Sequence, residues 1–247
     1  MSDRILSSVM DHVYTVFKSP RHHIMPVLKR NSQSINPNKF LILREAIEKS
    51  LKAMVGKDLS SKGAYQIALQ VEKAAVAAKK LKWNIDYGPK ISGFLGEAEN
   101  HEQFLHAIRV ILNKFSPNKI YQVPYVAGYD VAGKMIYIDR SVAKAQYSGF
   151  TSDDFLVIHE VMEKSLLMQN IGLHYQEAHQ CALRAEKATV DISGNNWDLY
   201  DHLMQGYIDF IYRLPEFVPP QLDLTPYRDE DDSDYVIRIE ELQKSHR

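Results

Sequence analysis

The chain has a single cysteine, Cys181, which excludes an intramolecular disulfide framework and a cysteine-rich zinc site. The flanks of Cys181, "AHQCALRAE", read as a helix interior, so a buried, inert thiol is expected. Charge of one sign is also missing. There are 30 lysines and arginines against 31 aspartates and glutamates, a net charge of −1, which gives no global electrostatic case for nucleic acid or an anionic membrane. No window approaches the roughly 18 consecutive apolar residues of a membrane helix. The opening "MSDRILSSVMDHVYTVF" has no basic start followed by an unbroken apolar run, so no signal peptide is read there. A cytoplasmic protein is expected, and a phage virion component fits the composition equally. A glycine-rich phosphate loop, a dinucleotide fingerprint and a Gly-x-Ser-x-Gly elbow are all lacking, so no organic cofactor is expected. What is present is ordinary: 45% hydrophobic and 25% charged residues in 247, enough chain to bury a sizeable core.

The main organising feature is a repeat. Residues 40–76 read "FLILREAIEKSLKAMVGKDLSSKGAYQIALQVEKAAV", and 155–190 read "FLVIHEVMEKSLLMQNIGLHYQEAHQCALRAEKATV". With a one-residue gap in the loop, Phe40, Glu45, Glu48, Lys49 and Leu51 align with Phe155, Glu160, Glu163, Lys164 and Leu166. Further on, Ala64, Gln66, Glu72 and Lys73 align with Ala178, Gln180, Glu186 and Lys187. Trp83 lies as far beyond Glu72 as Trp197 lies beyond Glu186. The units run roughly 40–94 and 155–207, each expected as helix, loop, helix, then a short aromatic-anchored helix.

In the second unit Phe155, Ile158, Val161, Met162, Ser165 and Leu166 recur at three- and four-residue steps, the mark of an amphipathic helix. Thr151, Ser152 and Asp153 offer N-cap material, and Gly172 ends the helix or its loop. "NHEQFLHAIRVILNKF" (100–115) reads as a further helix. "YQVPYVAGYDVAGKMIYIDRSV" (121–142) reads as a β-hairpin turning at "GYDVAG". Pro215, Pro219 and Pro220 stop regular structure, and "RDEDDSD" (228–234) reads as a solvated, mobile charge run. The expected organisation is an N-terminal helix and basic segment (1–39, including "SPRHHIMPVLKR" at 19–30), a first helical repeat (40–94), a linking helix and hairpin (95–154), a second repeat with the candidate site (155–213), and a Pro-rich acidic tail (214–247). The fold class is mainly α, with the hairpin packed on the second helical copy.

Residues i and i+4 of a helix share a face, so His159 and Glu163 point the same way, with Glu160 turned about 100° from His159. Two ligands one turn apart can grip one ion, and the following helix offers His179 and Glu186, seven apart on one face. His159, Glu163 and His179 make a His₂Glu donor set with an open position, and Glu186 is a further candidate ligand. Nitrogen and carboxylate donors suit zinc, or iron and manganese.

A strand "KMIYIDR", a helix carrying "HEVME" and a further helix with a ligand together resemble the zincin-type metallopeptidases, over roughly residues 121–190. In that family a strand pair runs beside an HExxH helix; here Glu163 stands where the second histidine belongs. The resemblance implies His159 as a zinc ligand and Glu160 as the general base of a metal-dependent hydrolase. Glu163, His179 and Glu186 extend the set beyond the family's pattern. Tyr125 or Tyr129 on the hairpin are the candidates for steadying an oxyanion.

The repeat supplies an internal control. Arg44 stands at the position of His159 and Tyr65 at that of His179, and a guanidinium stays protonated and binds no metal. Glu45, Glu48 and Glu72 are nevertheless kept, so the shared glutamates also admit a structural reading, with Glu48–Lys49 and Glu163–Lys164 as solvated surface pairs. A carboxylate-bridged two-metal bundle is a further reading, though its Glu-x-x-His spacing is absent from both units. A different class of function stays open beside the hydrolase: a non-catalytic interaction or assembly protein on a doubled helical scaffold, with a protein partner or a second copy of itself.

Overall fold

The computed structural model describes residues 37–87, 98–169, 173–211, 215–229 and 232–245. The expectations for residues 1–36, including the basic segment, and for Gly172 lie outside the described residues. The fold is mainly helical, as the periodicity predicts. Its centre is two helix pairs: α1 (Pro37–Val55) with α2 (Ser61–Ala78), and α4 (Ser152–Met168) with α5 (Tyr175–Ile192). Each helix touches its partner in the pair, α1 also packs on α4, and α2 on α5, so the four form a closed ring of neighbours. The connecting helix α3 (His101–Lys114) packs on α2, α4 and α5. α6 (Trp197–Ile211) follows α5.

Local signals set the helix boundaries. α1 ends at Gly56, whose φ of +83° is the left-handed conformation that closes helices and that glycine adopts without steric cost. Ser60 caps α2 by accepting from the Gly63 N–H, and Asn100 caps α3 by accepting from Gln103 N–H. At α4, Thr151 Oγ1 accepts from the Asp154 N–H while the Asp154 carboxylate accepts from Thr151 N–H at 2.7 Å, a reciprocal capping box. Ser152 and Asp153, also read as cap material, lie in the first turn of the helix. From there the apolar stripe of α4 (Phe155, Ile158, Val161, Met162, Leu166) is buried throughout. Each such side chain contributes about 1.5–3 kcal/mol to the core.

The hairpin is shorter than its sequence pattern. β2 (Ala127–Tyr129) pairs antiparallel with β3 (Ile136–Ile138), and β1 (Pro117–Asn118) runs parallel to β3 on its other side. Asp130 closes the turn by accepting from the N–H groups of Lys134 and Met135. β2 and β3 pack on α4, as expected of a hairpin laid against the second pair. A two-stranded element, β4 (Gln146–Tyr147) with β5 (Phe150–Thr151), leads into α4.

The C-terminal segment is helical on both sides of the charge run; Arg228, Ser233 and Asp234 of that run are exposed, and its residues 230–231 lie outside the described residues. α7 (Thr225–Asp229) and α8 (Ser233–Ser245) are helices. Tyr227, Tyr235 and Ile239 are buried in a second hydrophobic cluster with Val123, Tyr137, Val218, Leu222 and Leu224. The physical reason is a four-residue apolar step from Tyr235 to Ile239, beneath the run of acids. No helix among the described residues is long and apolar enough to cross a membrane.

Candidate metal centre

α4 and α5 face each other closely enough to bring three donors to one point. His159 Nε2 lies 3.1 Å from His179 Nδ1 and 3.5 Å from Glu163 Oε2, and His179 Nδ1 lies 2.9 Å from Glu163 Oε2. A tetrahedral zinc ion with ligands at about 2.0–2.1 Å holds them about 3.3 Å apart. The three edges straddle that figure. Three atoms so disposed leave the fourth position open, and this cluster is the group of potential ligands found among the described residues.

Glu186, read from the sequence as a further ligand, sits on the other side of the imidazole. Its Oε2 is 2.8 Å from His159 Nδ1, and its Oε1 accepts from the Tyr200 hydroxyl. Both carboxylate oxygens are therefore engaged away from the donor cluster. Seven-residue spacing placed Glu186 on the right face of α5, but about two turns beyond His179, where it meets His159 at Nδ1 and not at Nε2. Its position fixes the ring instead: a carboxylate at Nδ1 holds a proton there and leaves Nε2, facing Glu163 and His179, as the nitrogen an ion would take on displacing its proton. Tyr129 has a similar supporting position. Its hydroxyl donates to Glu163 Oε1 at 2.7 Å, deep in the core, so it orients that carboxylate and is not free for an oxyanion. Tyr175 brings its hydroxyl within 3.3 Å of His179 Nδ1.

The electrostatics are those of a site built around positive charge. Burial opposes a charged His159, but the Glu186 carboxylate and hydrogen bonds to Glu163 and Glu186 outweigh it, and its pKa lies well above the ordinary value. Burial opposes ionised Glu163 too, yet hydrogen bonds from His159 and His179 and the imidazole charges hold it down to about 2. Glu160, only 7% exposed, has no hydrogen-bond partner among the described residues. Burial first, then the charges of Glu163 and Glu186, push its pKa well above the usual carboxylate range, with His159 opposing. Three buried carboxylates thus surround two imidazoles, with no lysine or arginine among them.

The first helix pair shows what satisfies the matched glutamates. Arg44 Nη1 donates to Glu72 at 3.1 Å, and its Nε lies 3.9 Å from Glu48. Tyr87 donates to the other oxygen of Glu72, as Tyr200 does to Glu186. The guanidinium also lies over the Tyr65 ring, 5.1 Å from its centre. A permanent cation therefore stands between Glu48 and Glu72, where the second pair has a titratable imidazole, His159, between Glu163 and Glu186. The expected solvated pairs fare differently: Lys49 is exposed beside Glu45, whereas Lys164 is buried against Asp223 at 2.6 Å, above the Tyr129 ring. Cys181 is buried, and burial raises its thiol to about 11, as its apolar flanks suggested.

A cleft of about 280 Å³ opens over the donors, with His159, Glu160, Glu163 and His179 in its wall. Tyr125, the other oxyanion candidate, lines it too. Tyr125 and Val126 adopt left-handed φ of 61° and 71°, each costing about 1–3 kcal/mol for a non-glycine residue. This kink sets the Tyr125 ring on Tyr227, with ring centres 5.7 Å apart and planes 16° apart. Sequence reasoning missed Tyr200, Tyr175, Tyr227 and Asp223 in this wall. The one available signal was that a tyrosine follows each repeat tryptophan, Tyr87 after Trp83 and Tyr200 after Trp197.

Comparison with protein-family models, curated proteins and solved structures finds no match to this chain. The donor geometry is accordingly the ground for any functional reading. One consequence is testable on the supporting residue alone. Tyr200→Phe removes the donor that steadies Glu186 and, for a zinc ion held by this donor set, is expected to weaken binding about 10–100-fold. Competition against a chelator of known affinity would measure it, and an unchanged affinity would remove Tyr200 and Glu186 from the site.

Proposed function

We propose that the protein binds one divalent cation, zinc foremost, through His159, Glu163 and His179, and uses it in a hydrolytic reaction. The observation that carries the reading is the mutual 2.9–3.5 Å spacing of three donor atoms at the wall of a cleft. The contrast with Arg44 supports it: the first pair supplies a fixed cation to its glutamates, and the second supplies ligands. Iron or manganese fit the same donors, and two imidazoles with one carboxylate and an open position are a donor set that zinc takes in hydrolytic sites.

A bound ion supplies Lewis acidity and lowers the pKa of water beside it to about 7. The chain's own part falls to Glu160. It neighbours His159 on α4, faces the cleft and has no hydrogen-bond partner among the described residues, so its carboxylate is available to take a proton from attacking water and return it to the leaving group. A positive ion nearby opposes the shift that burial imposes on Glu160, which favours its ionised, proton-accepting form. Tyr125, at the cleft wall, remains the candidate for steadying an oxyanion.

The test is to screen the zinc-loaded protein with chromogenic amide and ester substrates and compare it with Glu160→Gln. The variant is expected to keep its zinc and lose turnover about 10²–10⁴-fold. Wild-type turnover in Glu160→Gln would remove Glu160 from the role of base. A protein that holds zinc yet turns over nothing would favour the interaction or assembly reading instead.

A further inference from the structure

The cleft walls share a chemistry that bears on what enters. α6 turns Trp197, Asp201, Met204 and Ile208 toward the space, steps of four, three and four that lie on one helix face. The stacked Tyr125 and Tyr227 add two more rings. Among the described residues no lysine or arginine lines the cleft. Lys164, on the neighbouring turn of α4, is buried with its ammonium bound to Asp223.

Two carboxylates in the wall are not engaged. Glu160 is more than nine-tenths buried and lacks a hydrogen-bond partner among the described residues. Asp201 is exposed and makes no hydrogen bond or ion pair among them. By contrast, Glu163 and Glu186 are bound to the histidines, and Asp223 to Lys164 and Thr225. Aromatic faces together with a carboxylate that no cation pairs, Asp201 here, attract organic cations, through the ring quadrupole and direct charge pairing. For phosphates and carboxylates the same walls offer no lysine or arginine, and their imidazoles are already paired with Glu163 and Glu186. The volume of about 280 Å³ suits a small molecule or one inserted side chain.

We infer that the cleft selects a substrate carrying an organic ammonium group on an apolar body, with Asp201 and the cleft's aromatic rings as the cation-recognising elements. As a substrate preference this rests on the hydrolytic reading of the donor cluster; as a binding preference it rests on the cleft walls alone. Glu160 keeps its role as proton acceptor, and Asp201 determines specificity.

The test uses two probes of nearly the same shape: choline and its uncharged carbon isostere, 3,3-dimethylbutan-1-ol. Neither carries an anionic group to compete for the ion. Affinities are measured by calorimetry and by chemical-shift titration, on zinc-free and zinc-loaded protein. Choline is expected to bind about tenfold or more tightly than the alcohol in both forms. In Asp201→Asn the preference is expected to fall to within about threefold, with the alcohol's affinity and the zinc content unchanged. Equal affinities, binding of neither probe, or a cation preference that survives Asp201→Asn would each overturn the inference. A preference for choline in a protein that never takes up zinc would uphold the cation site and sink the hydrolytic reading. Zinc uptake without any preference would do the reverse.

Discussion

A chain carrying His159→Arg and His179→Tyr together is expected to fold as the wild type does and to lose zinc binding. These are the residues that stand at the matched positions of the first helix pair, where Arg44 pairs with the matched glutamates and lies over the Tyr65 ring. At position 159 a guanidinium can pair with Glu186 and Glu163 as Arg44 pairs with Glu72 and Glu48, so neither of these two carboxylates is left without a cation. Two of three ion ligands vanish. Since complete protein zinc sites contribute about 10–16 kcal/mol of apparent binding free energy, losing two nitrogen donors is expected to weaken affinity by more than about 10³-fold. The pair of substitutions is more informative than His159→Ala. Alanine would leave Glu186 without its imidazole partner, and a destabilised fold would lose metal for that reason alone. Chelator competition and thermal unfolding, on the same samples, read the two effects separately. Retained zinc affinity would put the ion elsewhere, and a chain that fails to fold would mean that the two helix pairs are not interchangeable at these positions.

Arg44→Met is expected to be the most destabilising single change in the first pair. Glu72 is fully buried, with Arg44 and Tyr87 as its hydrogen-bond partners, and removing the cation costs about 3–5 kcal/mol when the carboxylate is left charged. The effect depends on pH with a definite sign. Burial raises Glu72 to about 7, against the lowering influence of Arg44 and Tyr87. A carboxylate whose folded pKa exceeds its unfolded value binds more protons when folded. Its contribution to stability is therefore full below about pH 4.5 and is lost as pH rises through about 7. Without Arg44 the folded value climbs further. The deficit of Arg44→Met should be largest near pH 8 and shrink toward pH 5, where Glu72 takes up a proton. Urea unfolding at both pH values measures this, and an equal deficit at both would show that Glu72 is not the group responsible.

Much of this site was legible in the sequence, and the parts that were not share a physical cause. Helix periodicity places His159 and Glu163 on one face, and the matched residues of the two units single out His159 and His179 as what the second has alone. Both inferences need only local geometry. Spacing cannot say which nitrogen of a ring a neighbour reaches, so Glu186 read as a ligand when it holds Nδ1 from behind. Tyr129 and Tyr200 were out of reach for a different reason. Their hydroxyls meet Glu163 and Glu186 only after the hairpin and α6 have packed against the helix pair, a tertiary event with no local signature. The C-terminal helices were hidden by composition. The acidic run drew attention from Tyr227, Tyr235 and Ile239, which bury themselves against Tyr137 and Val123.

Zinc K-edge X-ray absorption on protein saturated with one equivalent of zinc tests the centre directly. The account predicts one tightly held ion per chain with two imidazole nitrogens and at least one oxygen at about 2.0–2.1 Å, and loss of the imidazole scattering in the His159→Arg/His179→Tyr chain. An ion that shows only oxygen neighbours, or no stoichiometric uptake, would contradict it.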